Sequence, residues 1–301
     1  MRVQRHLQKR QKPLSRKWTP ICQNKTAYAF LTPSLLGLLV FVLLPFGDVI
    51  RRSFYQAVGG LFVGVDNYRQ VLENSAFRQA LGNTVRFLCI CLPLLLGLSF
   101  LAAIFLNSIT GFAKILRAGF LLPMAIPVAS VVVFWKLLFD QKGVVNQILE
   151  TLHLTGQDWM NTGYAFWILV GSYLWKNMGY DIVLWIAALS AIGEEQYEAA
   201  RVSGAGAFQC FRYITLPQMK SSVFLIGVLS FVNAFRVFRE AYLIAGDYPH
   251  ESIYMLQHLF NNWFTKLDIQ KMSAAAVLMA IAVSVILVLV EWWNERQEDR
   301  G

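Results

Sequence analysis

TVRFLCICLPLLLGLSFLAAIFLN, residues Thr84 to Asn107, decides which folds are open to this chain. The run is apolar almost throughout, and polar and apolar residues do not alternate. Crossing roughly 30 Å of hydrocarbon as a helix takes about 20 residues. In lipid only helices and closed barrels satisfy every backbone N–H and C=O, and a barrel strand would alternate. The run is therefore a membrane helix. Working outward, five similar blocks occur at about 27–50, 116–139, 165–190, 222–245 and 273–293. Charged residues make up only 15% of the chain and apolar residues 56%, where a soluble domain carries about 25% charge. A soluble chain of this length would lack the charge to cover its surface. The expectation is an all-α integral membrane protein of six transmembrane helices.

The net charge of +9 raises the possibility of nucleic-acid binding, but its distribution argues for membrane orientation. Arg2, Arg5, Lys9, Arg10, Lys12, Arg16, Lys17 and Lys25 precede the first apolar block with no acid among them, which holds the N-terminus in the cytoplasm. The apolar run that follows is too long for a cleaved signal peptide and lacks an A-x-A-like end. The chain divides into a basic cytoplasmic tail (1–26), a transmembrane domain (27–293) and a short cytoplasmic tail (294–301). With six spans, cytoplasmic segments hold about 15 Lys/Arg and external ones about 7, in keeping with positive-inside bias. Cys89 and Cys91 point to different sides of one helix, and Cys22 and Cys210 face a reducing compartment. No disulfide and no metal site is expected.

Several spans are punctuated by proline: Pro33 and Pro45 in the first, Pro93 in the second, Pro123 and Pro127 in the third. Each frees a carbonyl and bends the axis, which suits a moving path and equally an ordinary packing kink. The external segments 51–83, 140–164 and 246–272 are short and hold no separate globular domain. Their aromatics, among them Phe77, Trp159, Tyr254 and Trp263, read as an interfacial belt, with a docking surface for an external partner as the alternative. His6, His153, His250 and His258 lie in tails or external loops, and His250 and His258 are expected at the surface.

The cytoplasmic loop between spans four and five, about 191–220, carries the functional signal. Glu194 and Glu195 favour a helix N-terminus, Ala199 and Ala200 are strong helix formers, and Glu198 can pair with Arg201. Gly204 or Gly206 then allows a sharp turn, a second short helix runs to Tyr213, and Pro217 precedes the return to the membrane. The product is a helix-turn-helix elbow lying along the membrane.

Glu198-Ala199-Ala200, Gly204 and Ile214-Thr215-Leu216-Pro217 resemble, in type and spacing, the EAA loop of permease subunits of binding-protein-dependent ABC importers. Phe62-Val63-Gly64-Val65-Asp66-Asn67-Tyr68, Ala80-Leu81-Gly82-Asn83-Thr84, Leu121-Leu122-Pro123 with Ile126-Pro127, and Ala234-Phe235-Arg236-Val237-Phe238 are similar to the carbohydrate-uptake members, so the likeness covers roughly residues 60–290. It implies a type I ABC importer permease fold with a coupling helix between spans four and five. It also implies two cytoplasmic ATPase subunits that bind the ATP, a second related permease subunit, an external solute-binding protein and a small carbohydrate cargo. Alternating access would pass through the coupling residues Glu198, Ala199, Ala200, Gly204, Ile214, Leu216 and Pro217. Ser203 departs from the family's usual Asp; a hydroxyl can still hydrogen-bond the turn, without charge.

Polar residues inside spans usually face an aqueous path or another helix. Tyr173, Asn177, Tyr180 and Asn233 combine aromatic faces with hydrogen-bonding groups and are candidates for the substrate path. Lys176, Asp181, Arg236 and Glu240 read as structural ion pairs between helices. The chain lacks a G-x-x-x-x-G-K-[ST] phosphate loop and any Ser/His/Asp constellation, so no cofactor and no enzymatic activity are expected. Importing glycerol phosphate or another small polar solute is the nearer alternative. A proton-coupled secondary transporter using Asp181 or Glu240 is the more distant one; its inverted repeats are not evident.

Overall fold

The computed structural model describes residues 25–109, 113–237, 241–242, 246 and 248–298, and the side chains of all of these except 25–29, 113–114, 236 and 297–298. Cys22, most of the basic tail, Arg239, Glu240 and the Arg236 side chain lie outside the described residues. The chain packs as two units, residues 1–51 and 52–301. In the first, α1 (Lys25–Leu38) passes through a π turn at Leu39–Leu43 into α2 (Leu44–Ser53). Proline inside a helix clashes with the carbonyl four residues back. A wider turn just ahead of Pro45, closed by the Leu44 N–H on the Leu39 carbonyl, moves that carbonyl aside. Phe30 and Phe41 are each 80% exposed, as in a helix that is apolar on every side.

The second unit contains α3 (Asp66–Glu73), α4 (Ser75–Ser108), α5 (Ala113–Ala125), α6 (Val128–Phe139), α7 (Val144–Thr151), α8 (Tyr164–Ser190), α9 (Glu194–Val202), α10 (Ala207–Cys210), α11 (Leu216–Gln218), α12 (Lys220–Ala234), α13 (Leu256–Thr265) and α14 (Ile269–Glu298). Three helices are long and apolar enough to cross a membrane among the described residues: Phe30–Ser53, Ser75–Ser108 and Ile269–Arg296. Two more stretches qualify only as bent pairs, Ile115–Ala125 with Val128–Thr151 (94°) and Ala207–Gln218 with Lys220–Ala234 (63°).

The expected third span is therefore not one rod. Pro127 lacks an N–H and pushes Ile126 out of the helical region, so α5 ends at Ala125 and Pro127 caps α6. In the expected fifth span, α12 gives way to a 3₁₀ turn at Phe235–Val237. The expected fourth span, α8, is a single helix about 40 Å long, but its polar residues keep its hydropathy below that of the others. One side of it packs on protein, where Phe166, Leu169, Tyr173, Ile182 and Trp185 are buried, while Trp167, Trp175 and Val183 are exposed.

Helix α8 packs along α4 and α5. Trp185 Nε1 donates to Ser99 Oγ on α4 at 2.9 Å. Against α5 the approach is backbone to backbone, since a Cβ on Gly179 would stand 2.0 Å from the Phe120 carbonyl oxygen. Cys91 is buried in this core while Cys89, on the same helix, is exposed. A second apolar cluster lies at the other end of α4 and gathers Leu106, Ile182, Trp185, Met219 and Ile226.

The outer ends are more structured than their composition suggested. Helix α4 begins nine residues before the expected span, at Ser75, where the Asn74 side chain accepts the Phe77 N–H. Its first turns bury Phe77 and Ala80 with Val71, Leu256, Leu259, Trp263 and Ala274. Phe77 and Trp263 thus belong to a packed cluster and not to a belt. Asn83 Nδ2 donates to the Glu251 and Tyr254 carbonyls, and the Leu256 N–H donates to Thr84 Oγ1. Asn67 Nδ2 likewise bonds the Ser53 and Tyr55 carbonyls. His258 departs from expectation: it is fully buried, its Nδ1 accepts the Met255 N–H, and its ring stacks on Tyr254. In segment 140–164, buried Asn146 donates to the carbonyls of Asp140, Gln141 and Gln157 and accepts from the Gln157 N–H and Trp159 Nε1.

Candidate functional site

The loop between α8 and α12 is an elbow whose geometry follows from four residues. Helix α9 starts at Glu194 with two carboxylates in its first turn and Arg201 in its last, which matches the helix dipole at both ends. It ends in a double-bonded glycine stop: the Ala205 N–H donates to the Ala200 carbonyl and the Gly204 N–H to the Arg201 carbonyl, both at 2.9 Å. That arrangement requires a left-handed residue, and Gly204 supplies it with φ +84°. Ser203 Oγ donates to the Ala199 carbonyl at 3.0 Å, a bond that an ionised Asp has no proton to make. Gly206 opens α10, its N–H held by Gln209 Oε1 at 2.8 Å.

The second arm is less regular than a continuous helix to Tyr213. Helix α10 lasts one turn and is followed by a π turn, Phe211–Thr215, and then by α11. The cause repeats that at Pro45: Pro217 follows two residues after the wide turn, and the Leu216 N–H reaches back to the Phe211 carbonyl. Two contacts brace the arms. Tyr197 OH and Thr215 Oγ1 are 2.8 Å apart, and Gln218 Nε2 donates to Gln196 Oε1. Tyr197 and Ile214 also pack against the inner cluster of Leu189, Ile192 and Met219. Glu198 and Ala199 are exposed and Ala200 half-buried, while Leu216 and Pro217 are exposed. Glu198 and Arg201 form no ion pair among the described residues, so both charges project from the surface. Around them Val202 (91% exposed), Phe208 (76%) and Tyr213 (74%) stand bare. The elbow is thus fixed to the transmembrane core on one side and offers an apolar face edged by Glu198 on the other.

Of the four candidate path residues, two are joined. Tyr173 is buried edge-on against Phe87 at 5.5 Å, and Asn177 Nδ2 donates to the Tyr173 carbonyl at 2.9 Å. Tyr180 and Asn233 are half-buried on α8 and α12. Asp181 does meet another helix, but through a hydroxyl rather than a basic residue: Ser230 Oγ on α12 donates to it at 2.8 Å. Sequence reasoning passed over Gly179, Asn146 and the Asn83–Thr84 pair. The last was visible as a recurring string, but its job depends on contacts more than 160 residues away.

Comparison with known proteins agrees with this architecture. The profile of the family described as "Binding-protein-dependent transport system inner membrane component" matches residues 96–300. The chain is 33% identical over 237 residues to the arabinooligosaccharides transport system permease protein AraP of Bacillus subtilis, covering 75% of each. It is 32% identical over 269 residues to the trehalose/maltose transport system permease protein MalF of Thermococcus litoralis, covering 87% of this chain and 90% of that one. A crystal structure of a bacterial ABC transporter involved in import of the acidic polysaccharide alginate superposes with a TM-score of 0.82 at 22% identity, over 93% of this chain and 98% of that chain. That likeness shows the fold. This chain belongs to the binding-protein-dependent transport system inner membrane component family, and it is a multi-pass permease of the inner membrane.

Proposed function

We propose that the chain is one of two related permease subunits of an ATP-driven importer for a sugar or oligosaccharide delivered by an external solute-binding protein. The observation that carries this reading is the elbow at Glu194–Gln218, its arms tied to each other through Tyr197 and Gln196, seated on the core through Tyr197 and Ile214, and bare at Val202, Phe208 and Tyr213. A pair of cytoplasmic ATPase subunits closing on ATP would draw such elbows together. Motion at Glu198, Ala199, Ala200 and Gly204 would then pass through Ile214, Leu216 and Pro217 into α12, and through Ile192 and Leu189 into α8. In this reading the ATP is bound and hydrolysed by the partner subunits and not by this chain.

In this reading α8 is the fourth of six spans and both termini are cytoplasmic. A helix packed on one side against its neighbours can carry Lys176, Asn177 and Asp181 that lipid would not tolerate. Half-buried Asn177, Tyr180 and Asn233 flank the path, where an aromatic face and amide groups suit a sugar, and Tyr173, buried against Phe87, backs Asn177. The carbohydrate cargo draws support from the named substrates of the AraP and MalF relatives. An external delivery protein fits the alginate transporter solved with its pentasaccharide-bound periplasmic protein. The test is uptake, in cells with and without the chain, of labelled neutral oligosaccharides, acidic oligosaccharides and glycerol phosphate. Loss of oligosaccharide uptake supports the proposal. Loss confined to glycerol phosphate moves the cargo, and uptake abolished by a protonophore at constant ATP refutes the ATP-driven mechanism.

A further inference from the structure

Outside the elbow and the path, one feature is built like a binding site: a groove of about 660 Å³ between α4, α12 and α14. Leu96, Gly227 and Phe231 are among its lining residues. At one end stand Lys220, Trp293 and Asn294. A Cβ on Gly227 would meet only Leu96 Cδ1, at 4.0 Å, so the glycine keeps the groove open. Lys220 to Phe231 is about 16 Å along the α12 axis, the thickness of one leaflet's hydrocarbon, about half of 30 Å. The volume falls in the range of small-molecule sites, about 300–1,000 Å³. Polarity is confined to the mouth, where a cation, an amide and an indole sit at the level of the elbow.

We propose that this groove holds an anionic phospholipid of the cytoplasmic leaflet, one acyl chain lying over Gly227 and the phosphate at Lys220. A cation at the cytoplasmic edge of an intramembrane groove attracts acidic headgroups, and an indole is at home at headgroup depth. A lipid seated there touches both α12, which leaves the elbow, and α14.

The full chain is reconstituted into nanodiscs of phosphatidylcholine and phosphatidylglycerol, re-extracted in mild detergent, and its retained lipids are counted by native mass spectrometry. Wild type is expected to keep phosphatidylglycerol, and Gly227→Leu to lose it. Lys220→Gln should keep a lipid while its preference for phosphatidylglycerol falls about five-fold, the worth of one lysine at an anionic surface. A photocrosslinking residue at Val228 should give an adduct of phospholipid mass. Equal retention in wild type and Gly227→Leu, or a Val228 adduct to a polypeptide, overturns the proposal. The cytoplasmic placement rests on the topology proposed above. Lipid counting reads the groove whichever way the chain faces, so the two fail separately.

Discussion

At the scale of single residues, the elbow turns on Gly204. No atom crowds the place of its missing Cβ, so a substitution there acts only through the backbone. Forcing an L-residue to φ +84° costs about 1–2 kcal/mol. That is roughly a five- to thirty-fold change in any equilibrium that needs the turn. Gly204→Val should therefore reduce transport by about that factor while membrane expression stays normal; unchanged uptake would remove the elbow from the mechanism. Gly179 behaves oppositely, because it has no free space at all. Gly179→Ala drives a methyl into the Phe120 carbonyl, and overpacking of this kind costs about 1–3 kcal/mol. The expected result is a lower melting temperature in detergent, measured by thermal shift. The glycine turn at 204 was legible because it follows a run of helix formers. The glycine at 179 was not, since nothing local marks which helix will cross there.

At the scale of elements, composition located most of the spans but not their interruptions. Apolar blocks cannot show that Ile115–Ala125 and Val128–Thr151 meet at 94°, although Ile126-Pro127 marks the place. Nor can they show that Pro45 and Pro217 are each preceded by a π turn. The internal order of the external segments, expected only to be short and without a separate globular domain, was not legible because it comes from side-chain amides rather than apolar periodicity. Asn146 makes the point: five hydrogen bonds from one buried amide hold segment 140–159. Asn146→Ala removes part-buried hydrogen bonds worth about 0.5–1.5 kcal/mol each. It should speed hydrogen exchange across 140–159 while leaving α4 and α8 protected, and uniform exchange rates would contradict that role. Asn83→Ala should likewise loosen 251–256, visible in the same experiment.

At the scale of the whole molecule, α8 buries the charges at its middle, while the apolar windows of Ser75–Ser108 and Ile269–Arg296 are mostly exposed. That inversion of a soluble protein follows from lipid being the solvent. It also explains why hydropathy underrates α8, whose Lys176 and Asp181 are buried among protein groups. Outside the spans, the elbow is a surface seated on the core through Tyr197 and Ile214 and bare at Val202, Phe208 and Tyr213. We propose that an ATPase subunit docks there. The direct measurement is affinity purification of the tagged chain from its own membrane in mild detergent, with mass spectrometry of the bound proteins, for wild type and Glu198→Lys. The expected result is an ATPase subunit and a second permease with the wild-type chain, and the second permease with little ATPase with Glu198→Lys. Recovery of the folded wild-type chain alone, or equal ATPase with both chains, would contradict the claim.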